Sequence, residues 1–363
     1  MPSIAILKRD MVKAGGLEKH TSRIIQKFQE KNFSVTLVTA SPVLPQKNIR
    51  VLSKPLTSSL NYKKIEEFDQ FSHEFLNKNP HDIVLGMDRT RFQTHIRAGG
   101  GVHAAYLDLR KKQEGFWKRC SFFINPLHRL LLSIEKEAFE SPSLRAIIVN
   151  SNFVKEQILH YYSTDPSKIH LLHNGVEWHE MESAFQEWPQ KKEVGPYQFL
   201  FIGHNFERKG LKELLVTLSE LPCKNFQLSV VGEDKHSARY KALAKKLGLS
   251  SKVSFWGKID NTLPFYQRAD CLVIPSLYDP FANVTVEALA MGLFVVSSAT
   301  NGGKEVLTPD SGIVIEGNIS FAKALKYALS KPKTLASSQK IRDSVKHLDF
   351  EVQLSKFCDL CLI

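Results

Sequence analysis

Short apolar runs alternate with amphipathic stretches along the whole sequence, and this alternation restricts the possible folds more than any other feature. Runs such as Ser3–Leu7, Ser34–Thr39 and Cys271–Ile274 have the length and composition of buried strands. Stretches in which apolar residues recur with helical spacing separate these runs. Strands that alternate with helices form βαβ units, whose strands run parallel. The sequence therefore predicts an α/β protein built from doubly wound parallel sheets.

The alternation extends through both halves of the chain. In the first half, strands are predicted at 3–7, 34–39, 82–86, 146–149 and 169–173, and helices at 17–31, 63–76 and 152–162. In the second half, strands are predicted at 198–202, 226–231, 253–255, 271–274, 294–297 and 313–315, and helices at 211–219, 238–247, 284–291 and 321–330.

The length of 363 residues exceeds what one hydrophobic core usually supports, so two domains are expected. Residues 174–196 place Trp178, Trp188 and Pro189 among polar and charged neighbours without clear periodicity, which predicts an interdomain linker. We expect an N-terminal Rossmann-like domain over 1–173, a C-terminal Rossmann-like domain over 197–344, and a C-terminal helix over 345–363 that crosses back to the first domain. Ligands of such sheets bind at the carboxyl ends of the strands, so two facing domains would hold a ligand in their cleft.

Charge and cysteine content restrict the surroundings of the protein. The net charge is +12, with 26 Lys and Arg against 16 Asp and Glu in residues 1–170 and 23 against 21 in the remainder. A basic first domain suggests an anionic surface or substrate, the alternative being charges that only aid solubility. The five cysteines come without a second zinc-spaced pair or a secretory signal, and no apolar run reaches about eighteen residues. We therefore expect a cytoplasmic protein without a metal site.

In each domain, a loop that contains glycine follows the first predicted strand. Gly15 and Gly16 open a helix, where backbone N–H groups can approach a phosphate, although Gly-Gly turns are common elsewhere. No GxGxxG fingerprint stands there, which argues against a nicotinamide enzyme. In the second domain Arg208 and Lys209 precede Gly210. An arginine can bind a diphosphate through two hydrogen bonds and a lysine as a point charge, so a diphosphate site is predicted, the alternative being solvated charges.

A third loop, after the predicted strand 271–274, carries two carboxylates eight positions apart. Asp279 precedes a helix and Glu287 lies on its second turn. Carboxylates accept hydrogen bonds from paired hydroxyls, which ribose and hexose rings offer. Asn283 is expected to cap the helix. Backbone amides at the helix start are expected to face the phosphate or the sugar, and they belong to Phe281, Ala282, Asn283 and Val284.

Together these loops resemble the motifs of the family 4 glycosyltransferases of GT-B fold. That family carries a glycine loop after the first strand, an Arg/Lys-Gly element in the second domain and an ExxxxxxxE motif followed by Ala and a Gly. The most similar branch is the lipopolysaccharide core glucosyltransferase I type, which also has an Arg-Lys-Gly element and a run like Ala98-Gly99-Gly100-Gly101-Val102-His103. The resemblance covers nearly the whole chain and implies two Rossmann-like doubly wound domains facing a cleft. It makes 1–173 the acceptor domain and 197–344 the nucleotide-sugar-binding domain.

The resemblance implies roles for the donor-site residues. Glu287 would bind the ribose hydroxyls, and Arg208 and Lys209 would neutralise the diphosphate. Asp279 stands where the family usually has its first Glu and would contact the donor sugar, with a reach shorter by one methylene. Backbone amides of Gly15 and Gly16 would approach the diphosphate from the first domain. Lys258 and Ile259, after Trp256, would border the base pocket.

The first domain is expected to supply groups around the sugar and the acceptor. The family places a His close to the donor sugar, and His103 follows a glycine triplet that would let its loop pack tightly against substrate. The alternative is a structural histidine. Asp88 follows another predicted strand and could orient the acceptor.

The resemblance also implies the reaction: a retaining hexosyltransferase without a metal ion or other cofactor, the nucleotide sugar being a co-substrate. The charge of the leaving group would then fall to Arg208, Lys209 and helix N-termini. UDP-glucose is favoured by the most similar branch, while UDP-N-acetylglucosamine, UDP-galactose and GDP-mannose stay open. The acceptor hydroxyl and the oligomeric state also stay open.

The acceptor is expected to be a lipopolysaccharide-core or lipid-linked glycan. In residues 110–123, Arg and Lys interleave with Phe and Trp, as suits the surface of an anionic membrane. Aromatic rings in the core beside a solvated cationic face are the alternative. We expect a peripheral location at the inner face of the cytoplasmic membrane.

Two other functions keep the fold and change the activity. A UDP-sugar 2-epimerase would bind the donor without an acceptor. A non-catalytic basic module with a degenerate donor site would bind a membrane. The net charge alone would also allow nucleic acid, but no nucleic-acid-binding motif is present and no such partner is expected.

Overall fold

A computed structural model describes residues 1–11, 16–42, 49–191, 195–223 and 225–363. The chain divides into two units, each with its own sheet. Unit 1 consists of Met1–Leu172 and Leu354–Ile363, and unit 2 consists of His173–Gln353.

The described part of unit 1 forms a seven-stranded sheet in which neighbouring strands are parallel. The strands are β1 (Ser3–Leu7), β2 (Ser34–Thr39), β3 (Ile49–Ser53), β4 (Ile83–Gly86), β5 (His95–Arg97), β6 (Ala146–Val149) and β7 (Ile169–Leu171). Their spatial order is β3-β2-β1-β4-β5-β6-β7. The order reverses between β1 and β4, where open α/β sheets form a ligand crevice beyond the carboxyl ends of the strands.

The described part of unit 2 forms a second parallel sheet, of six strands. The strands are β8 (Tyr197–Ile202), β9 (Phe226–Val231), β10 (Val253–Gly257), β11 (Cys271–Ile274), β12 (Phe294–Ser298) and β13 (Gly312–Ile315). Their order, β10-β9-β8-β11-β12-β13, reverses between β8 and β11.

Helices connect the strands in both units. Those that begin in the first part of the chain are α1 (Gly16–Glu30), α2 (Asn61–Lys78), α3 (His103–Gln113), α4 (Phe116–Ile124), α5 (Pro126–Phe139) and α6 (Asn152–Tyr161). Those that follow are α7 (Trp178–Lys191), α8 (Leu211–Glu220), α9 (Ser237–Lys246), α10 (Leu263–Arg268), α11 (Asn283–Ala290), α12 (Phe321–Leu329), α13 (Leu335–Ser344) and α14 (Phe350–Leu360). Within the described ranges, no helix has both the length and the apolar character that crossing a bilayer requires.

Alternate residues of the central strand β8 enter two different cores. Leu200 belongs to the cluster formed with α7, α10 and α11, whereas Phe199 and Phe201 belong to the cluster formed with α8, α9 and α12. Successive side chains of a strand point to opposite faces, so a strand covered by helices on both sides must be apolar at every position. This explains the continuous apolar runs of the sequence, and the predicted pair of doubly wound Rossmann-like sheets is confirmed.

The strands and helices predicted between residues 3 and 330 lie within two residues of their observed bounds, whereas the C-terminal helix predicted over 345–363 is observed as Phe350–Leu360. The prediction missed β3 and β5 in the first sheet, because β3 has only half-buried and exposed residues and β5 has only three residues. It also missed α3, α4 and α5, which fill the long connection between β5 and β6, and α10 and α13 in unit 2.

The predicted linker 174–196 is wrong as a structureless segment, because it contains α7. Met181, Ala184, Phe185 and Trp188 of this helix are buried in the core of unit 2. Their spacing of three, four and seven residues places them on one helix face. The charged neighbours obscured this pattern in the sequence.

The last helix, α14, crosses the observed division of the chain. Residues 345–353 belong to unit 2, and residues 354–363 belong to unit 1. Within unit 1, Lys31 Nζ donates to Asp359 Oδ1 at 2.9 Å, and Cys358 and Cys361 are buried.

Replacing a buried residue of α7 tests whether this helix is part of the core of unit 2. We expect Phe185→Ala to destabilise the protein by about 3–5 kcal/mol, because it removes a fully packed ring. Urea unfolding followed by circular dichroism measures the change. The exposed Ser183 of the same helix gives the control Ser183→Ala, which should shift stability by at most about 0.5 kcal/mol. Equal effects of the two variants would contradict the packing of α7 described above.

Candidate active site

Three loops at the carboxyl ends of β8, β11 and β12 meet in unit 2. The loop after β11 pairs with the loop after β12, since Asp279 N donates to Thr300 O at 2.9 Å and Gly302 N donates to Asp279 O at 2.9 Å. These two backbone bonds fix the position of Asp279.

Asn301 fastens this pair of loops to the start of α11. Its Oδ1 accepts from Ala282 N and from Gly303 N, each at 3.1 Å. Its Nδ2 donates to Ser297 Oγ at 3.0 Å and to Thr285 Oγ1 at 3.3 Å. The side chain is fully buried, and these four bonds use the whole hydrogen-bonding capacity of an amide.

The predicted cap of α11 is wrong in its residue. Ala282 occupies the N-cap position and Asn283 is the first helical residue, exposed and without a side-chain capping bond. Asn283 Oδ1 instead accepts from Asn174 Nδ2 at 2.8 Å. Asn301, from a different loop, accepts the hydrogen bond from the backbone amide of Ala282 at the start of the helix. Sequence spacing does not reveal this contact.

Arg208 and Lys209 lie in the turn between β8 and α8, and both reach the loop of Asp279. Lys209 Nζ forms a hydrogen-bonded ion pair with Asp279 Oδ2. Arg208 NH1 donates to Tyr278 O at 2.8 Å and lies 3.6 Å from Asp279 Oδ2. The structure thus brings the predicted cations and the first carboxylate together, with the Asp279 side chain almost fully buried.

A glycine makes this approach possible. Gly210 has a φ of 76°, in the left-handed region. A Cβ atom at this position would lie 2.1 Å from Pro275 O, at the end of β11. Only glycine lets the turn carrying Arg208 and Lys209 lie against the neighbouring strand.

Glu287 lies on the second turn of α11 and is half-buried. Its Oε2 accepts from the hydroxyl of the fully buried Tyr266 at 2.6 Å. Burial raises the pKa of Glu287, and the hydrogen bond from Tyr266 opposes that shift. Tyr266 therefore orients the carboxylate and keeps it more acidic than burial alone would.

The remaining residues predicted to form the donor site lie at the start of α11 and directly after β10. Phe281 and Ala282 are buried in the core cluster, and Val284 packs against it. Lys258 is exposed and Ile259 packs against the same cluster, both directly after β10.

His103 is the first residue of α3, and a buried carboxylate holds it there. His103 N donates to both oxygens of Glu135, at 2.8 and 2.9 Å. Arg89 Nε at 2.9 Å and Tyr162 Oη at 2.8 Å also donate to Glu135, which is 2% exposed. These four hydrogen bonds compensate the desolvation of the carboxylate.

The imidazole of His103 contacts a second histidine. His103 Nε2 lies 3.0 Å from His128 Nδ1. Burial, followed by the charges of Arg89 and His128, lowers the pKa of His103 to about 3. The ring is therefore neutral at physiological pH, with one nitrogen that donates and one that accepts.

Asp88 follows β4 at the point where the strand order of unit 1 reverses. Its carboxylate accepts from Arg9 N at 2.7 Å and from Lys8 Nζ at 3.2 Å. Lys8 Nζ also lies 3.6 Å from Glu18 Oε1. Asp88 is thus held by groups of unit 1 itself.

Of the two glycines predicted to approach the diphosphate, Gly16 begins α1, while Gly15 lies outside the described residues.

Sequence reasoning missed Glu135, His128, Tyr266 and Asn301. Each makes at least one contact with a residue 16 or more positions away along the chain, and none stands in a motif. The only sequence signal was the residue type, since Glu, Asn and Tyr are seldom buried without a partner.

Two family models match the chain. The model described as "Glycosyltransferase Family 4" matches residues 14–179, and the model described as "Glycosyl transferases group 1" matches residues 183–344. The first match covers most of unit 1, and the second covers most of unit 2.

Individual proteins agree with these models. The lipopolysaccharide glucosyltransferase WaaG of Escherichia coli (strain K12) is 24% identical over 300 residues, which is 79% of this chain and 78% of that protein. An uncharacterized glycosyltransferase, MJ1607 of Methanocaldococcus jannaschii, is 29% identical over 172 residues, 44% of each chain. The similarity to MJ1607 thus spans less than half the length of that protein.

Solved structures agree on the fold. The crystal structure of WaaG, a glycosyltransferase involved in lipopolysaccharide biosynthesis, superposes with a TM-score of 0.81 at 22% identity over 99% of both chains. Anabaena Alr3699/HepE in complex with UDP-glucose superposes with a TM-score of 0.68 at 16% identity over 98% of both chains.

The raised pKa of Glu287 predicts a pH-dependent effect on stability. The folded protein disfavours the charged form of Glu287, so this residue lowers the stability of the protein at pH values above its ordinary pKa. Below that pKa the carboxyl is protonated in both the folded and the unfolded state, and the loss of stability disappears. We expect Glu287→Gln to raise the melting temperature of the unliganded protein more at pH 8 than at pH 4.5. Differential scanning calorimetry at the two pH values measures this difference.

The matched control is Glu220→Gln, at the exposed end of α8, which should show no comparable pH-dependent gain. A Glu287→Gln variant that is less stable at pH 8 than the natural protein would contradict the unfavourable burial of this carboxylate.

Proposed function

The chain belongs to the family 4 glycosyltransferases of GT-B fold, and from this membership we propose that it is a retaining hexosyltransferase. Its donor is UDP-glucose. Its acceptor is a sugar of a lipopolysaccharide core or of a lipid-linked glycan. The meeting of Lys209, Arg208 and Asp279 at the switch point of unit 2 carries this proposal.

The cations of this cluster suit a diphosphate. Lys209 is held by one hydrogen bond to Asp279, and an ammonium has three donors. Arg208 uses one guanidinium N–H group to bind the carbonyl of Tyr278, and its remaining N–H groups can bind a phosphate. The main role of Asp279 is thus to position both cations. This role explains why the shorter Asp stands where the family usually has Glu.

Glu287 suits the ribose of the nucleotide. With Tyr266 donating to one oxygen, the other oxygen can accept from ribose hydroxyls. The assignment of UDP-glucose rests on two relatives, the E. coli lipopolysaccharide glucosyltransferase and Alr3699/HepE, whose structure holds UDP-glucose.

The proposed reaction breaks the bond between the anomeric carbon and the phosphate oxygen of the donor. The acceptor hydroxyl forms its new bond on the same face of the sugar, and its proton passes to an oxygen of the departing UDP. Lys209 and Arg208 stabilise the charge that develops on this diphosphate. No metal ion or protein base is needed for this balance of charge and protons.

His103 is proposed to hydrogen-bond the donor sugar. Its low pKa keeps the ring uncharged, so it can donate to or accept from a sugar hydroxyl without competing for the diphosphate. Glu135 fixes the first turn of α3 and with it the place of the ring.

We further propose that α4 binds the inner face of the cytoplasmic membrane. Phe116, Trp117, Phe123 and Ile124 are 69–85% exposed and, at spacings of one, seven and eight residues, lie on one side of the helix. Lys111 Nζ lies 5.0 Å from the centre of the Phe123 ring, so a cation accompanies this apolar face. Rings at headgroup depth beside cations are typical of interfacial helices.

Nucleotide binding tests the donor site. We expect UDP to raise the melting temperature without added metal, and UDP-glucose to raise it further, because a ligand of the native state stabilises by about 2.7 kcal/mol at a hundredfold excess over Kd. GDP, GDP-mannose, other UDP-sugars and NAD form the comparison panel. Glu287→Ala should abolish the shift, whereas Glu220→Ala should retain it.

A transfer assay separates the enzyme functions. With labelled UDP-glucose and lipopolysaccharide truncated in its outer core, we expect an α-linked product that depends on the acceptor. UDP-glucose consumption without an acceptor would favour an epimerase, and no response to any nucleotide would favour a non-catalytic membrane-binding module.

Vesicle flotation tests the membrane surface. We expect the protein to float with anionic phosphatidylglycerol vesicles, and the bound fraction to fall several-fold as salt rises or when Trp117 and Phe123 are both replaced by Ser. Leu159→Ser, at an exposed apolar position of α6, is the control and should bind normally. Binding that is absent at low salt would contradict this proposal.

A further inference from the structure

Arg97 is a partly buried cation at the carboxyl edge of the sheet in unit 1, and no described residue pairs with it. It is the last residue of β5, between the ends of β4 and β6. Among the described residues, no hydrogen-bond acceptor or carboxylate lies within bonding distance of its guanidinium, and Asp88 acts on it only at longer range. Burial lowers the pKa of Arg97 to about 10, which still leaves it charged at neutral pH.

Neighbouring cations of this edge are paired. Lys8 meets Asp88 and Glu18, Arg9 Nε donates to Asp10 Oδ2 at 3.0 Å, and Arg89 binds Glu135. A desolvated charge without a counterion is unfavourable, and proteins seldom retain one. The guanidinium of Arg97 therefore stands out as a group that a ligand can supply with a counterion.

The glycine triplet shapes the space around this guanidinium. A Cβ atom at Gly99 would lie 2.3 Å from NH1 of Arg97 and 2.9 Å from its Cζ. The arginine thus folds against the backbone of the loop, and any larger residue at position 99 would displace it. Gly101, with a φ of 70°, then turns the chain into α3.

Asn150 adds a second unsatisfied group at the same loop. It follows β6 and is 4% exposed. Its Nδ2 donates to Gly99 O at 3.3 Å, while its Oδ1 has no hydrogen-bond partner in the described part of the chain. A buried acceptor and a partly buried cation therefore both contact the loop at Gly99.

Nearby titratable groups leave the positive charge uncompensated. His20, from α1, has its pKa lowered to about 3 by burial and by the charge of Arg97, so it is neutral. The carboxylate of Asp88 is already bound by Lys8 and by Arg9 N. The local field thus favours an anion.

We propose that Arg97 and Asn150 form a subsite for a sugar that carries a phosphate or carboxylate. Arg97 binds the anionic group through two N–H groups, and Asn150 Oδ1 accepts from a neighbouring sugar hydroxyl. Resting on the proposed function, we assign this ligand to the acceptor, which makes the enzyme selective for an anionic acceptor sugar. The donor diphosphate is the other source of the same chemistry.

Binding of glucose 6-phosphate, with glucose as the uncharged comparison, tests the subsite. Titration calorimetry in saturating UDP should show binding of the sugar phosphate and none of glucose. We expect Arg97→Met to weaken binding roughly 10- to 100-fold, because a charged hydrogen-bonded pair is lost. Arg97→Lys should fall between the two, since a lysine cannot bind through a planar fork.

Two further variants separate a binding role from a structural one. Gly99→Ala should weaken binding by displacing the guanidinium, although it leaves the charge in place. Arg145→Met removes an exposed cation whose NH1 donates to Asp82 O at the opposite end of the sheet, and it should bind within about twofold of the natural protein. Without ligand, Arg97→Met should melt at the same or a higher temperature, since it removes a desolvated charge.

Two results would overturn the proposal. Unchanged binding in Arg97→Met would show that no such subsite exists. Glucose 6-phosphate that binds without UDP but not in saturating UDP would assign Arg97 to the donor diphosphate instead of the acceptor. The two hypotheses can fail separately, because nucleotide binding tests the proposed function and glucose 6-phosphate binding tests the subsite. If no nucleotide bound but Arg97→Met still weakened glucose 6-phosphate binding, the proposed function would fail and the subsite would stand.

Discussion

The buried amide of Asn301 is the constraint on which the candidate donor site depends. Four hydrogen bonds tie it to the end of β12, to the start of α11 and to its own loop. With the backbone pairing of Asp279 to the same loop, they fix the distance between Asp279 and Glu287. A buried amide with every bond made is rigid, because losing any one of them leaves a polar group without water or partner. The site is thus positioned before any ligand arrives.

Burial sets the charge state of functional groups in both units: it disfavours the charged forms of Glu287 and Arg97 and favours the neutral form of His103. Glu287 is a carboxylate in a half-buried position, His103 is kept neutral, and Arg97 has no counterion among the described residues. For two of them a neighbouring group sets the orientation, as Tyr266 does for Glu287 and Glu135 for His103. Buried charges such as those of Glu287 and Arg97 reduce stability and are retained where a ligand supplies the missing partner.

Family membership explains why the motifs are present, but it does not explain where this chain departs from the family pattern. Asp279 in place of Glu shortens the side chain, and the structure shows that Asp279 forms an ion pair with Lys209. The shorter carboxylate is matched to its partner across the turn at Gly210, whose lack of a Cβ lets that turn approach β11. The chemistry of the loop therefore depends on a backbone approach as much as on the charged residues.

The sequence by itself determined the two doubly wound sheets, since strands buried on both faces must be apolar throughout and are legible as short runs such as 271–274. It also placed Arg208, Lys209, Asp279 and Glu287 in loops after strands or on the helix that follows. It did not disclose α7, whose apolar face is interrupted by charges, nor the partners His128, Glu135, Tyr266 and Asn301. Only the tertiary structure decided those contacts, because hydrogen bonds between residues distant in sequence leave no periodic pattern, whereas burial of a strand or helix face does.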